Sequence, residues 1–327
     1  MFVRFLKSNS ASALILLPLI AFAIWAFGFV SPTIVSFKHT MPLYELIARG
    51  LSGIPWLATL IAALLVIGEA FLLNYIVNEN EVLTKQNYLP AALYILYMSN
   101  NNAMLMLHPA LFGNLFILFA INKLLSSYRK DNAFSQAFDA GLLISLATLF
   151  YFPYVVFLPL LGIALILMRP FNWREWIISF LGAVIPFVFV VTYYFWNDIL
   201  DYLLFDKMFY FIVKEKPRMD FPPSFYVMMV IGWFIILLSL AKIFQGVGIG
   251  SQKTKKSIIL LIWFFFFSAL SIFIAPEIST KYFSALAIPT AVFSANYFSN
   301  IKKGWWGEFL FFSLIASIFI NLISQFF

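Results

Sequence analysis

Glu45 and Arg49 stand four residues apart in MPLYELIARGLSG, the spacing that brings a carboxylate and a guanidinium together on one helix face. Two readings are open. Either the two form an ion pair on a helix lying in a membrane interface, or Glu45 is a catalytic carboxylate with Arg49 or Lys281 holding an anionic phosphate beside it. A group that accepts a proton and a cation that receives a phosphate leaving group are what sugar transfer from a lipid phosphate needs. Glu69 is a second acid of interest. It lies inside the apolar run LATLIAALLVIGEAFLLNYIV, followed by Asn74. An ionisable residue at that depth is costly unless it faces a bundle interior or a polar cavity. Glu69 is therefore either a proton or cation site, or a neutral carboxyl bonded to an adjacent helix.

Other polar residues invite structural roles. Asn114 and Asn122 are eight residues apart, hence on one helix face, and are expected to hydrogen-bond between helices. Asp139 opens an apolar stretch and reads as a helix cap. The only histidines are His39 and His108, so no multi-histidine metal site is expected, and His108 reads as a helix-end residue bonded to a backbone carbonyl. There is no cysteine, which removes disulfides, thiolate catalysis and Cys-based metal sites together. No Walker loop, dinucleotide-binding glycine pattern or GxSxG occurs, which argues against ATP-driven work by this chain alone. The site residues imply no cofactor and no metal.

The elements that must position these groups follow from composition. Of the 327 residues, 63% are hydrophobic and only 11% charged, against about 25% charged in soluble domains. A hydrocarbon core of about 30 Å is crossed by about 20 helical residues, and the chain divides into closely spaced apolar runs of roughly that size. Continuous apolar runs, without ten-residue alternation, point to helices and exclude a barrel. The fold expected is a single all-α polytopic membrane domain over residues 1–327. Its eleven spans are placed at roughly 11–30, 56–77, 86–100, 103–123, 137–152, 154–168, 176–196, 224–244, 257–275, 282–299 and 307–326, the first an uncleaved anchor.

The net charge of +7 reads as a topology signal and not as a nucleic-acid partner. Eleven spans put fourteen of the 21 Lys and Arg inside, including the short basic loops 123–130, 169–174, 253–256 and 302–303. Outside are left Lys38, Arg49, Lys207, Lys214, Lys216, Arg218 and Lys281. Fusing 86–123 or 137–168 into single helices erases or inverts that bias. The N-terminus is thus expected in the cytoplasm and the C-terminus outside. Outer segments 31–55 and 197–223 are expected to carry interfacial helices, the second ended by Pro217, Pro222 and Pro223. Trp173, Trp176, Trp305 and Trp306 are expected beside inner loops.

The run from LPAALYIL through LHPALFGN to LISLATLFYFP, and the stretch PEISTKYFSALAIPTAVFSA, resemble membrane glycosyltransferases of the GT-C superfamily, which use polyprenyl-linked sugars. In the first, a hairpin, a basic inner loop, a small-residue span and a proline look like their third to fifth spans. In the second, Lys281 and Tyr282 stand where those enzymes carry Arg-Tyr. The resemblance implies a polyprenyl-phosphate lipid carrier as partner, Glu45 as the first-loop acid, and Arg49, Lys281 and Tyr282 as substrate contacts. The chain departs from the pattern in a shorter first outer loop and the lack of a paired acid. NYIVNENEVLTKQNYLPAALYIL and MRPFNWREWIISFLGAVIPF are more similar to an inner-membrane family of Bacteroidota with no assigned activity, which implies location without chemistry.

Three functions remain in view: a GT-C-like or degenerate polyprenyl-phosphate-sugar-dependent glycosyltransferase of envelope assembly, a membrane scaffold binding a membrane or periplasmic partner through 197–223, and a Glu69-dependent transporter. Membrane lipid is a partner in each.

Overall fold

The computed structural model describes the chain except residues 1, 8–10, 38, 84, 131, 214–220, 222, 247–250, 276–278, 302–303 and 325–327. Pro217, Pro222, Lys38, Lys214, Lys216, Arg218, Lys302 and Lys303 therefore lie outside the described residues. Among those described the chain is all-helical, with no strand. The helices are α1 (Phe2–Lys7), α2 (Ala11–Val30), α3 (Pro42–Leu51), α4 (Pro55–Glu79), α5 (Leu89–Met98), α6 (Pro109–Ser126), α7 (Phe134–Phe150), α8 (Leu158–Met168), α9 (Trp173–Trp196), α10 (Tyr210–Val213), α11 (Pro223–Gly246), α12 (Gln252–Ile274), α13 (Ser284–Asn300) and α14 (Gly304–Ser324). Short 3-10 stretches at Asn102–Met104, Phe152–Phe157 and Thr280–Phe283, and a π-helical stretch at Tyr202–Phe209, complete the chain. Proline opens α3, α4, α6 and α11, where its fixed φ suits the first turn and its missing N–H leaves no donor unpaired.

Among the described residues, seven helices are long and apolar enough to cross a membrane: α2, α4, α6, α9, α11, α12 and α14. The other four expected spans coincide with shorter helices. α5 has ten residues, a rise of about 15 Å, and every residue except Tyr97 is buried. It packs against α4 and α13. α6 starts at Pro109, not at 103, because Asn101 caps a 3-10 turn with its side chain before the chain straightens to His108. α7 ends at Tyr151, whose backbone is extended, and Pro153 then starts the 3-10 turn that leads into α8. The stretch 137–168 is thus two helical segments.

α7 packs along α9. Gly141 and Gly182 make it possible: a methyl at either would run into the carbonyl oxygen of Ser179 or Phe138 respectively. Ser145 donates to the Ala183 carbonyl across the same seam. Asn122 accepts from the Asn80 side chain at 3.1 Å, the interhelical bond expected of it. Two expectations need correction. Asp139 does not cap α7, because the helix begins five residues earlier, and it pairs instead with Lys123 of α6 at 2.7 Å. Pro223 does not end the helical stretch before it; it is the first residue of α11.

At the opposite end of the bundle from α3, Arg169 pairs with Glu175 at 3.0 Å, both nearly inaccessible. Arg169 also donates to the Lys130 carbonyl at 2.5 Å, so the α8–α9 turn is tied to the one after α6.

Candidate functional site

The extended segment before α3, the loop before α6, the end of α7, the α10 region and the 3-10 turn before α13 meet around one cavity of about 140 Å³. Ser36, His39, Thr40, Tyr44, His108, Tyr151, Tyr210, Lys281 and Tyr282 supply its polar lining. No carboxylate is among the described lining residues. Lysine ammonium, phenol, hydroxyl and imidazole N–H groups all donate hydrogen bonds, so the lining suits an anion with several acceptor oxygens.

Each wall has a local cause. Tyr44 is fixed by donating its hydroxyl to the Leu107 carbonyl at 3.1 Å. Burial, and then Tyr282, push that hydroxyl above the ordinary phenol range, so it stays a protonated donor. Tyr282 stacks on Tyr151 with ring centres 5.5 Å apart and planes nearly parallel, and Lys281 lies over the Tyr282 ring at 5.1 Å. His39 adopts a left-handed backbone (φ 52°) and stacks on Tyr210 at 4.2 Å. A non-glycine residue in that region is uncommon, and here the stack and a contact to the Asp206 carbonyl hold it. His108 precedes Pro109, which keeps its backbone extended.

His108 and Tyr151 stand out chemically. Both are buried, and neither ring nitrogen of His108 nor the Tyr151 hydroxyl has a hydrogen-bond partner among the described residues. Burial, with the Lys281 charge adding to it, pushes His108 down to about 3, so the imidazole is neutral at ordinary pH. The expected bond from His108 to a backbone carbonyl is absent, because Pro109 sends the chain into α6 and leaves the ring facing the cavity.

Of the residues picked out in the sequence, Lys281 and Tyr282 line the cavity, whereas Glu45 and Arg49 do not. Glu45 is buried on the neighbouring face of α3, one oxygen paired with Arg49 and the other with Lys207. Lys207 is fully buried and also donates to the Thr40 carbonyl at 2.7 Å. Burial would raise the Glu45 carboxyl, but Lys207 and then Arg49 outweigh it and hold Glu45 below the usual carboxylate range. This cluster fastens the stretch Tyr202–Phe209 to α3, and that stretch carries Tyr210 and Phe211 to the cavity.

Glu69, Asn74 and Asn114 lie apart from this site, inside the bundle. Tyr94 donates to Glu69 at 2.8 Å, Asn114 donates to Tyr94 at 3.4 Å, and Tyr154 donates to Asn114 at 2.5 Å. Gly113 leaves room for the Tyr154 ring, whose edge a methyl there would strike at 2.5 Å. The second Glu69 oxygen and the Asn74 carbonyl oxygen have no partner among the described residues. Sequence reasoning missed His39, Tyr44, His108 and Tyr151 as members of one site, and Lys207 as the partner of Glu45. Lys207 carries no local signal for Glu45, since the two are joined only by the return of the chain after α9.

No group of three or more His, Cys, Asp or Glu that could hold a metal occurs among the described residues. No curated protein and no solved structure matches the chain. The family model DUF6427, described as a family of unknown function, matches residues 43–326, and the chain belongs to that family.

Proposed function

We propose that the chain is an eleven-span protein of the bacterial inner membrane, N-terminus inside and C-terminus outside, that receives a phosphate-bearing lipid in the cavity beside α3 at its outer end. The observation that carries this reading is the lining: Lys281 stands in a cavity with no carboxylate among its described lining residues, and His108 and Tyr151 turn into it polar atoms that no described residue engages. The helices at all eleven expected positions support the span count, and the basic loops support the orientation. In its most specific form the protein is a GT-C-like or degenerate glycosyltransferase of envelope assembly, acting on a polyprenyl-phosphate sugar with Lys281 and Tyr282 on the phosphate. Glu45, with both oxygens engaged by cations, then serves as the clamp that holds Tyr202–Phe209 in place. The test is incubation of the protein in nanodiscs with polyprenyl-phosphate-linked sugars. Release of lipid phosphate that Lys281→Met abolishes supports the transferase, whereas turnover unchanged in that variant removes Lys281 from the chemistry.

A scaffold reading has its own support in the exposed aromatics Trp196, Phe205 and Phe209 along the α9–α10 connection. Crosslinking from Phe209 in native membranes should then capture one defined protein. Crosslinks to lipid alone would leave these side chains as interfacial anchors.

A further inference from the structure

A second cavity, of about 100 Å³, lies between α11 and α12 over α13. Most of its polar groups are engaged within the protein. The Tyr97 hydroxyl pairs with Ser294 at 2.9 Å, Thr290 donates to the Leu286 carbonyl at 2.7 Å, and the Asn100 amide donates to the Tyr97 carbonyl at 2.6 Å. Apart from the Asn100 side-chain oxygen, the described walls offer hydrocarbon, thioether and aromatic surface, as at Met228, Phe265 and Leu286. Trp233, 47% exposed, stands at the rim, so this recess adjoins the outer surface of the bundle. Gly232 of α11 lines it without a packing reason to be glycine. Gly28, Gly113, Gly141 and Gly182 each face an atom that a methyl would meet at under 3 Å. A methyl at Gly232 would meet nothing within 4 Å although the residue is buried, whereas Gly50, Gly53 and Gly68, equally open, are exposed. Glycine is a poor helix former, so its place here weakens α11 and leaves room inside the protein.

The recess and the cavity beside α3 are built from the same two stretches of chain. The turn Thr280–Phe283 gives Lys281 and Tyr282 to the cavity and Phe283 to the recess. The connection after α5 gives Asn100 to the recess and Met106, Leu107 and His108 to the cavity. Between them, the 3-10 turn Asn102–Met104 lies against Thr280–Phe283. A polar chamber and an apolar one thus back onto each other across two short turns, an arrangement that fits a molecule with a polar head and an apolar chain. We propose that the recess between α11 and α12 receives the hydrocarbon tail of the lipid whose phosphate enters the cavity, and that Gly232 is the specificity-determining residue that keeps space for that tail. The proposal rests on the phosphate reading above and adds where the chain of the lipid goes. A side chain at position 232 occupies the space the tail needs, so long chains are rejected and short ones are not.

The test uses the full chain in phosphatidylcholine nanodiscs and two phosphates that differ in chain, farnesyl phosphate and dimethylallyl phosphate. Gly232→Leu should weaken farnesyl phosphate by about tenfold, through the apolar burial its tail loses, and leave dimethylallyl phosphate within about twofold. In the native protein, farnesyl phosphate with a diazirine at its far end should label 228–236 or 283–290, and unlabelled farnesyl phosphate should suppress that label. Farnesyl phosphate affinity unchanged by Gly232→Leu, or label placed elsewhere, overturns the tail site and leaves the phosphate reading standing. Label in the recess that unlabelled farnesyl phosphate does not suppress means that bulk lipid fills it, and overturns the proposal as well. If neither phosphate binds, the phosphate reading itself fails and takes this one with it. Because the label is read in the native protein, it decides the matter even where Gly232→Leu does not fold.

Discussion

Replacing Glu45 with Gln leaves the Lys207 ammonium, which is 0% exposed, without a compensating charge, since the glutamine amide oxygen and the Thr40 carbonyl at 2.7 Å are neutral acceptors. Removing one partner of a buried ion pair costs about 3–5 kcal/mol, because the other charge stays buried without compensation. The lower end applies, since the Glu45 side chain is 8% exposed and the site lies near solvent. Lys207→Met is milder: Glu45 keeps Arg49, but that guanidinium is 63% exposed and is screened, so about 1–2 kcal/mol is expected. The loss should fall on Tyr202–Phe209 and α10, which this pair joins to α3. At 1.36 kcal/mol per tenfold, 3 kcal/mol raises local opening by about 150-fold. Hydrogen exchange of peptides covering 202–213 should therefore speed up by about 100-fold in Glu45→Gln and about tenfold in Lys207→Met, with the double variant close to Lys207→Met alone. The pH dependence has a definite sign. The folded carboxyl of Glu45 is held below its unfolded value, so its contribution is full above the ordinary carboxylate range and fades as pH falls through the lowered folded value. Exchange in 202–213 changed by less than about threefold in both single variants, against the free energies expected, would refute the clamp.

Other outcomes follow from the packing and the topology. Gly141→Val forces α7 away from α9 at the Ser179 carbonyl and should lower the thermal midpoint by several degrees in a detergent-based unfolding assay, whereas Gly50→Ala, which meets nothing nearby, should not. Tyr154→Phe removes the donor to Asn114 and should cost about 1–2 kcal/mol in denaturant unfolding. Glu69→Gln keeps an acceptor for Tyr94 and should stay within about 1 kcal/mol of the native chain; a larger loss would indicate a role for charge at Glu69. A reporter fused after Phe327 should read as outside the cytoplasm, and an inside reading would overturn the eleven-span orientation.

The helical segments were legible in the sequence because each is a local property: apolar runs, proline at first turns and clusters of basic residues. Their ends were less so. α5 is ten residues and not the fifteen or so expected, since the polar stretch after Met98 folds into a 3-10 turn that the surrounding helices bury. Half of the site could be read. Lys281 and Tyr282 were chosen through a resemblance, and both line the cavity. Glu45 and Arg49 do form the i, i+4 pair that their spacing suggests. The partner that decides what Glu45 does, Lys207, is 162 residues away and depends on how the chain returns across α3. His39 and His108 were visible as the only two histidines, yet their convergence rests on the extended segment before α3 lying against the loop before Pro109. No periodicity encodes that contact.

The claim that the cavity holds a lipid phosphate is tested most directly by comparing farnesyl phosphate with farnesol, which share a tail and differ in the headgroup. Equilibrium binding to the protein in nanodiscs should favour farnesyl phosphate by about tenfold or more, the value of one charge-assisted bond to Lys281, and Lys281→Met should erase the preference. Equal affinity of the native protein for the two compounds, or a preference untouched by Lys281→Met, would contradict the account.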